Sequence, residues 1–408
     1  MEKAALFCDE TAEYRCPEEP DPGDLVTLRF RTAKNNADHV SMIICGSGQR
    51  IELYKAESRG RFDFYETVIS VGKTALRFYF EIKKGRETCL YNRLGVTKDI
   101  QRQQMFAITP GFHVPDWAKG ALMYQIFIDR FCNGDPDNDV VSDEYIYIGF
   151  PVMKIDDWRE DLSVLDVDRF YGGDLQGIWD KLDYLQDMKV EVLYLNPIFV
   201  SPSNHKYDTT DYTVIDPHFG TEEEFKDLVE EAHQHGIRIM VDAVFNHCGR
   251  KFAPWLDVLE KKEKSAYADW FMIHDWETVE KRADTRDGRF YSFAFTDGMP
   301  KLNTNNEEVI QYFCKICEDW IRKFDIDGIR FDVGNEVSHR FLKKIREHLK
   351  QMKPDLYLLG EIWHDASQWL LGDEYDSVMN YPLMSGIHDF FLDRGMEKEE
   401  FEYMVNRC

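Results

Sequence analysis

The chain has 408 residues, 43% of them hydrophobic, so its length favours two or three domains and its composition a large apolar core. A formal net charge of −25 argues against nucleic acid and anionic membranes as partners. The sequence shows neither an apolar run long enough to cross a bilayer nor the features of a signal peptide at its N-terminus. Nine scattered cysteines suit a reducing compartment, and we therefore expect a cytoplasmic protein.

The first 110 residues or so have the pattern of β-strands. Strand character is clearest at 25–30, 40–44 and 76–81, where Gly, Asn and Asp clusters separate the apolar runs. This predicts a β-sandwich domain over residues 1–115, followed by a stiff, proline-containing linker at 110–117.

From residue 121 the pattern alternates between strands and helices. Such alternation predicts parallel strands, and we expect a TIM-type (β/α)8 barrel domain over residues 116–408. Candidate strands are 123–128, 190–195, 238–244, 328–333, 357–362 and 377–380, and helical stretches between them include 177–188, 222–235, 306–324 and 339–352. The alternation stops at about 247–302, which predicts an inserted domain after the third strand.

Only about six of the eight strands of a closed barrel can be identified. The last segment, 386–406, has the pattern of the sixth helix. We therefore expect a barrel that is truncated after about the sixth βα unit. An incomplete sequence, a natural truncation and one half of a split enzyme are three explanations, and an ending inside a helix without a terminal cap favours the first.

Three carboxylates lie at the ends of apolar strands. They are Asp242, Asp332 and Glu361. Acidic residues are rare in buried strands, so three in such positions indicate function. The C-terminal ends of barrel strands form the catalytic face, and two carboxylates in one pocket are the groups that hydrolyse glycosidic bonds.

The sequences around these carboxylates resemble the alpha-amylase superfamily, glycoside hydrolase family 13. The segments 242–247 (DAVFNH), 328–332 (GIRFD) and 361–363 (EIW) are similar to three family signatures in the correct order. Four further segments resemble the neopullulanase, cyclomaltodextrinase and maltogenic amylase branch: 203–208 (SNHKYD), 299–303 (MPKLN), 333–337 (VGNEV) and 376–381 (DSVMNY). That branch carries an N-terminal sandwich similar to a family-34 carbohydrate-binding module.

The resemblance implies a retaining mechanism. Asp332 would be the nucleophile that forms a covalent glycosyl–aspartate, and Glu361 would be the acid/base. Arg330 lies two residues before Asp332, so both side chains project to one face, and the guanidinium would keep Asp332 ionised.

The resemblance also implies a set of sugar contacts. Asp242 and His247 would hydrogen-bond the sugar at the cleavage site, and Tyr207 would stack on it. Trp363, Asn335 and Glu336 would shape the acceptor side. Gly334 and Ser338 depart from the Ala and Asp that are usual in the branch.

An acidic loop is a candidate metal site. Residues 133–139 (NGDPDND) and 172–174 (GGD) supply the oxygens that calcium prefers, although Asp, Asn and Gly are equally typical of a turn. By resemblance, the calcium ligands would be Asn133, Asp135, Asn138, Asp139, Gly172 and Asp174.

The family's fourth signature, which contributes a His-Asp pair and the third catalytic Asp, has no counterpart; His388-Asp389 falls within the last helix. The leading hypothesis is an enzyme that cleaves α-1,4 bonds, with α-1,6 bonds as a further option, in cyclodextrins, pullulan and maltooligosaccharides. It would be a homodimer when full length. The alternative is an α-glucan-binding chain without turnover. A third reading, a transport-associated or regulatory relative, is opposed by the presence of Asp332, Arg330 and Glu361 together.

Overall fold

The computed structural model describes residues 1–160, 166–392 and 395–405. The chain forms two compact units. The first comprises Met1–His113 together with Trp363–Asp373 and Asn380–Cys408, and the second comprises Val114–Ile362 and Glu374–Met379.

The N-terminal part of the first unit is a β-sandwich built on alternating burial. In Leu25–Ala33, Val26, Leu28 and Phe30 point into the core and their neighbours outwards, which is the period-two pattern of a half-buried strand. The strands follow the order β1-β2-β5-β4-β3-β6-β7-β8, with β9 also paired to β6. Their bounds are β1 Arg15–Cys16, β2 Leu25–Ala33, β3 His39–Ile44, β4 Arg50–Arg59, β5 Phe62–Ser70, β6 Leu76–Lys84, β7 Glu87–Asn92, β8 Gly95–Thr97 and β9 Phe106–Ile108.

The second unit contains six parallel strands in the order β10-β15-β18-β19-β20-β21. They are β10 Met123–Ile126, β15 Val192–Leu195, β18 Arg238–Ala243, β19 Gly328–Phe331, β20 Tyr357–Gly360 and β21 Ser377–Val378. Short strands form separate pairs: β11 Ile146–Tyr147 with β12 Phe150–Pro151, β13 Met153–Lys154 with β14 Arg169–Phe170, and β16 Phe199–Val200 with β17 Asp211–Ile215. The predicted six parallel strands are confirmed, and each ends two residues or fewer before its predicted end.

Helices connect the parallel strands. They are α1 Leu175–Trp179, α2 Leu182–Asp187, α3 Glu222–Gln234, α4 Ala253–Lys261, α5 Glu307–Phe324 and α6 His339–Met352, and the first unit adds α7 Tyr381–Phe391 and α8 Lys398–Val405. Side chains cap the longer helices at the start: Thr221 and Glu224 form a capping box on α3, and Asn306 and Ser338 accept backbone N–H groups of α5 and α6. Two predicted helices, 177–188 and 386–406, are each divided in two.

The segment 247–302 lies between β18 and α5 and has little regular structure besides α4. Trp255 is fully buried and packs on Phe271 and Phe290, with ring centroids 4.7 and 4.9 Å away. This aromatic cluster gives the predicted insert a small core of its own. Among the described residues, no helix has the length and apolarity to span a membrane.

Candidate active site

Three adjacent parallel strands bring the candidate catalytic residues together. Asp242 lies near the end of β18, directly across from Arg330 in β19. Asp332 follows β19 and Glu361 follows β20, its neighbour. Because the strands are parallel, their C-terminal ends meet at one edge of the sheet, as the sequence predicted.

Arg330 is the centre of this cluster. Its Nη1 donates to Asp242 Oδ1 and Oδ2, both at 3.0 Å, and to Asp332 Oδ1 at 2.8 Å. Its Nη2 lies 2.9 Å from Glu361 Oε2, which also accepts the backbone N–H of Val333 at 2.8 Å. All four side chains are less than a tenth exposed. One guanidinium therefore faces three buried carboxylates.

This imbalance changes the acidity of the site. Burial raises the pKa of Asp332 well above its usual range, and the charges of Asp242 and Glu361 raise it further. The positive charge of Arg330 offsets only part of this increase. Burial also raises the pKa of Asp242 despite its contact with Arg330. The sequence argument that Arg330 would keep Asp332 ionised did not include the effect of burial. The cluster therefore retains a proton more readily than isolated carboxylates do.

Two tyrosines hold Asp242. Tyr194 Oη donates to Asp242 Oδ2 at 2.5 Å and Tyr207 Oη donates to the same atom at 3.0 Å. Tyr207 was a predicted sugar contact, and its ring stacks on His205 with centroids 5.8 Å apart. Tyr194, in β15, was missed because a tyrosine within an apolar strand is normally a core residue. Asp242 is thus oriented by hydroxyl groups as well as by Arg330.

His247 is completely buried, and both of its ring nitrogens have protein partners. Nε2 lies 3.1 Å from the carbonyl oxygen of Tyr207 and Nδ1 lies 3.2 Å from Asn246 Nδ2. Phe293 stacks on the imidazole at 4.7 Å, and burial lowers the His247 pKa to about 3. His247 is therefore neutral at physiological pH, and a direct hydrogen bond to a sugar would replace one of these contacts.

The predicted acceptor-side residues are arranged less tightly. Lys301 Nζ lies 3.0 Å from Glu336 Oε2 and also donates to Asn246 Oδ1, so it joins the segment after β18 to the segment after β19. The Oδ1 atom of Asn335 is buried without a hydrogen-bond partner. Trp363 belongs to the other compact unit and is 46% exposed. Lys301 belongs to the segment 299–303 that resembles the branch, but the sequence predicted no function for it.

The acidic loop has the features of a cation site. The side-chain oxygens Asn133 Oδ1 and Asn138 Oδ1 are buried and have no hydrogen-bond partner. Gly172 lies against Asn133 and Asp139, since a Cβ atom there would be 2.8 Å from Asn133 Nδ2 and closer still to Asp139 Oδ1. Unpartnered amide oxygens beside carboxylates suit calcium, so the donor set fits this ion.

Other contacts already organise this loop. Asp174 caps α1 through Gly177 N at 2.6 Å and accepts the backbone N–H groups of Gly134 and Asp135. Asp139 pairs with Lys154 Nζ at 2.9 Å. Within the described ranges, no group of three or more His, Cys, Asp or Glu residues forms a metal site. The predicted calcium ligands instead combine side-chain amide oxygens and a backbone carbonyl oxygen with carboxylates.

Comparison with known proteins identifies the two parts of the chain. Residues 125–406 match the family model "Alpha amylase, catalytic domain", and residues 1–113 match "Alpha amylase, N-terminal ig-like domain". A cyclomaltodextrinase of Geobacillus thermopakistaniensis is 41% identical over 392 residues, which are 92% of this chain and 63% of the relative. An intracellular maltogenic amylase of Bacillus subtilis is 39% identical over 403 residues, 94% of this chain and 65% of the relative.

Solved structures agree with this assignment. A cyclomaltodextrinase structure superposes with a TM-score of 0.71 at 36% identity, covering 99% of this chain and 68% of that one. The chain therefore spans about two thirds of the length of the relatives it matches.

Proposed function

This chain belongs to the alpha-amylase family, and we propose that it hydrolyses α-1,4-glucosidic bonds in cyclodextrins and maltooligosaccharides with retention of configuration. The observation that carries the proposal is the cluster in which one arginine binds Asp242, Asp332 and Glu361 at the ends of adjacent strands. Retaining glycosidases need two carboxyl groups close together, and the contact of both Asp332 and Glu361 with one guanidinium supports such an arrangement. Pullulan and α-1,6 bonds remain further candidate substrates.

In the first step, a carboxylate oxygen of Asp332 attacks the anomeric carbon while the bond to the leaving oxygen breaks. Glu361 donates its proton to that oxygen, so the leaving chain departs as a neutral alcohol. In the second step, Glu361 takes a proton from water, which attacks the same carbon and releases Asp332. Each step transfers one proton and exchanges one C–O bond at the anomeric carbon, so after both steps Asp332 and Glu361 return to their starting protonation states.

The electrostatics of the cluster suit this cycle when the retained proton lies on Glu361 and not on Asp332. The mechanism needs one ionised carboxylate and one protonated carboxyl group at the same time. Three carboxylates around a single cation favour such mixed protonation, because full ionisation would leave two uncompensated negative charges in a buried site. The negative cluster would also stabilise positive charge at the anomeric carbon in the transition state.

Reducing-sugar release from β-cyclodextrin tests the proposal, with Asp332→Asn as the matched control. We expect release by the parent chain and a loss of about 10³-fold or more in the control, since the nucleophile is removed without a change in shape. Nuclear magnetic resonance of the fresh product should show the α-anomer. Release that persists in the control, or an initial β-anomer, would overturn the assignment.

A second candidate is α-glucan binding without turnover. One observation favours it: His388 and Asp389 lie on α7 with more than half of each side chain exposed, so this His-Asp pair is not at a strand end. Calorimetric titration with maltoheptaose separates the two candidates. Binding without any release of reducing sugar would support the second.

We further propose that calcium binds the acidic loop through Asn133, Asp135, Asn138, Asp139, the Gly172 carbonyl and Asp174, and holds the loop in place. The unpartnered oxygens of Asn133 and Asn138 support this set. Calcium titrated into chelator-treated protein should bind, and Asp139→Asn should weaken binding about tenfold or more because it removes a charged ligand. Asp137→Asn, an exposed neighbour outside the set, is the control. Equal binding by both variants would contradict the proposed ligands.

Assembly and location remain proposals. The name of the Bacillus subtilis relative describes it as intracellular, which supports a cytoplasmic location here. Assembly into a homodimer and a carbohydrate-binding role for the β-sandwich are predictions from the family resemblance. Light scattering of the purified protein tests the first of these.

A further inference from the structure

A buried segment between β20 and β21 contacts the backbone that carries the catalytic pair. Its residues, Glu374, Tyr375 and Asp376, are all less than 5% exposed. Asp376 accepts the backbone N–H of Leu358 in β20 at 2.9 Å. Four basic side chains of α6 hold its two carboxylates: His339 and Lys343 lie 2.8 and 3.4 Å from Glu374, and Arg346 and Lys350 lie 2.7 and 2.8 Å from Asp376. The position of Tyr375 is therefore fixed from both sides.

Tyr375 lies between two glycines. Its ring carbons occupy the space that a Cβ atom on Gly360 would need. Its hydroxyl donates to the carbonyl oxygen of Gly334 at 3.3 Å, and a Cβ atom on Gly334 would lie only 2.6 Å from that hydroxyl oxygen. The same Cβ would lie 3.1 and 3.2 Å from the backbone O and N of Glu361. Even one methyl group at residue 334 would therefore collide with Tyr375 and press on Glu361.

Both glycines are next to the catalytic residues. Gly360 directly precedes Glu361, and Gly334 follows Asp332 by two residues. Val333, which lies between Asp332 and Gly334 in the sequence, donates its N–H to the carboxylate of Glu361 at 2.8 Å. A shift of either glycine would change the separation of the two carboxyl groups, and reaction rates depend steeply on such separations.

We propose that Gly334 and Tyr375 are a matched pair of positioning residues: the tyrosine hydroxyl fills the space of the absent methyl group and fixes the distance between Asp332 and Glu361. This inference rests on the proposed function of those two carboxyl groups. Tyr375 does not touch the reacting atoms, and it acts through the backbone of the segments that carry them.

A double-mutant cycle tests the pair with kcat and KM for β-cyclodextrin. Gly334→Ala should lower kcat about 10- to 100-fold with KM within about twofold, because the methyl group displaces Glu361 without altering substrate contacts. Tyr375→Phe should cost about three- to tenfold through loss of one hydrogen bond. The double variant should recover to the level of Tyr375→Phe, since the methyl group then fills the vacated space.

Tyr357→Phe is the matched control, because this tyrosine lies at the start of β20 and its hydroxyl pairs with Ser377, away from Gly334 and Glu361. It should leave kcat unchanged. The inference would be overturned if the kcat of the double variant were no higher than that of Gly334→Ala. It would also be overturned if each loss of kcat were explained by a smaller fraction of folded protein. If the parent releases no sugar, the proposed function fails. Thermal unfolding of the parent, the two single variants and the double variant then still tests whether residues 334 and 375 are matched. Gly334→Ala should then destabilise the parent but not the Tyr375→Phe background.

Discussion

Arg330 binds more negative charge than it can neutralise. Asp242, Asp332 and Glu361 all lie within 3.0 Å of its terminal nitrogens in a buried site. Breaking or crowding buried ion pairs is costly, so the cluster lowers the stability of the fold for the sake of its chemistry. Lysine could not replace this arginine, because a single ammonium lacks the planar array of donors that reaches three partners.

Asp332→Asn should therefore stabilise the protein while abolishing activity. The pKa of Asp332 is raised in the folded state, so the folded state binds the proton more tightly and loses stability as pH rises from the ordinary Asp pKa to the raised one. The amide removes this loss, about 1.4 kcal/mol for each unit by which the pKa is raised. Thermal unfolding should show a higher midpoint for the variant at pH 7 and equal midpoints near pH 3. A lower midpoint at pH 7 would contradict the argument.

Sequence reasoning identified Asp242, Arg330, Asp332 and Glu361 because each lies in a short motif at the end of an apolar strand. It missed Tyr194 and Phe293, whose contacts with Asp242 and His247 join residues 48 and 46 positions apart. An aromatic residue near such a site, whether buried like Tyr194 or partly exposed like Phe293, has the same local pattern as a core residue. Only the pairing of strands and the folding of the insert bring these rings to the site.

At the level of elements, β4 was missed although it is ten residues long. Its sequence, RIELYKAESR, is mostly polar, and only Leu53 is buried. The strand forms because β3 and β5 pair with it on both sides, which no local pattern reveals. Strands β18, β19 and β20 were predictable because they are buried on both faces and therefore mostly apolar, apart from Arg238, Asp242 and Arg330.

Asp327 connects the end of α3 to the start of β18 at the opposite end of this sheet. Its carboxylate accepts the backbone N–H of Ile239 in β18 at 2.9 Å, and lies 2.7 Å from His233 of α3 and 2.8 Å from Arg238. Burial opposes its ionisation, but the hydrogen bonds from His233 and Ile239 lower its pKa overall. This carboxylate therefore stabilises the fold, unlike Asp332.

Asp327→Ala should reduce the free energy of unfolding by about 2 kcal/mol at pH 7, because it leaves the buried N–H of Ile239 without an acceptor and removes the partly exposed ion pairs with Arg238 and His233. Since the folded pKa is lowered, the contribution is complete above the ordinary Asp pKa and is lost as pH falls through the lowered value. Urea unfolding at pH 7 and pH 3 measures both effects. Asp325→Asn, a neighbour whose side chain is 75% exposed, is the control and should change stability little. An equal effect of both variants would disprove the role of Asp327.

At the scale of the whole molecule, the β-sandwich and the parallel βα units were predictable from the switch between two patterns of hydrophobic residues. The division into compact units was not, because Trp363–Asp373 and Asn380–Cys408 group with the first unit although they follow the βα region in sequence. Sequence order alone cannot reveal contacts of this kind.

The sandwich also limits how copies of this domain can meet. The two ends of its strand path, β1 and β8, have only two and three residues. Such short borders offer few unpaired N–H and C=O groups, so another chain gains little by adding a strand there. Any self-association of this domain would therefore depend on side chains of its faces and loops, and point substitutions on those surfaces could abolish it without disturbing the sheet.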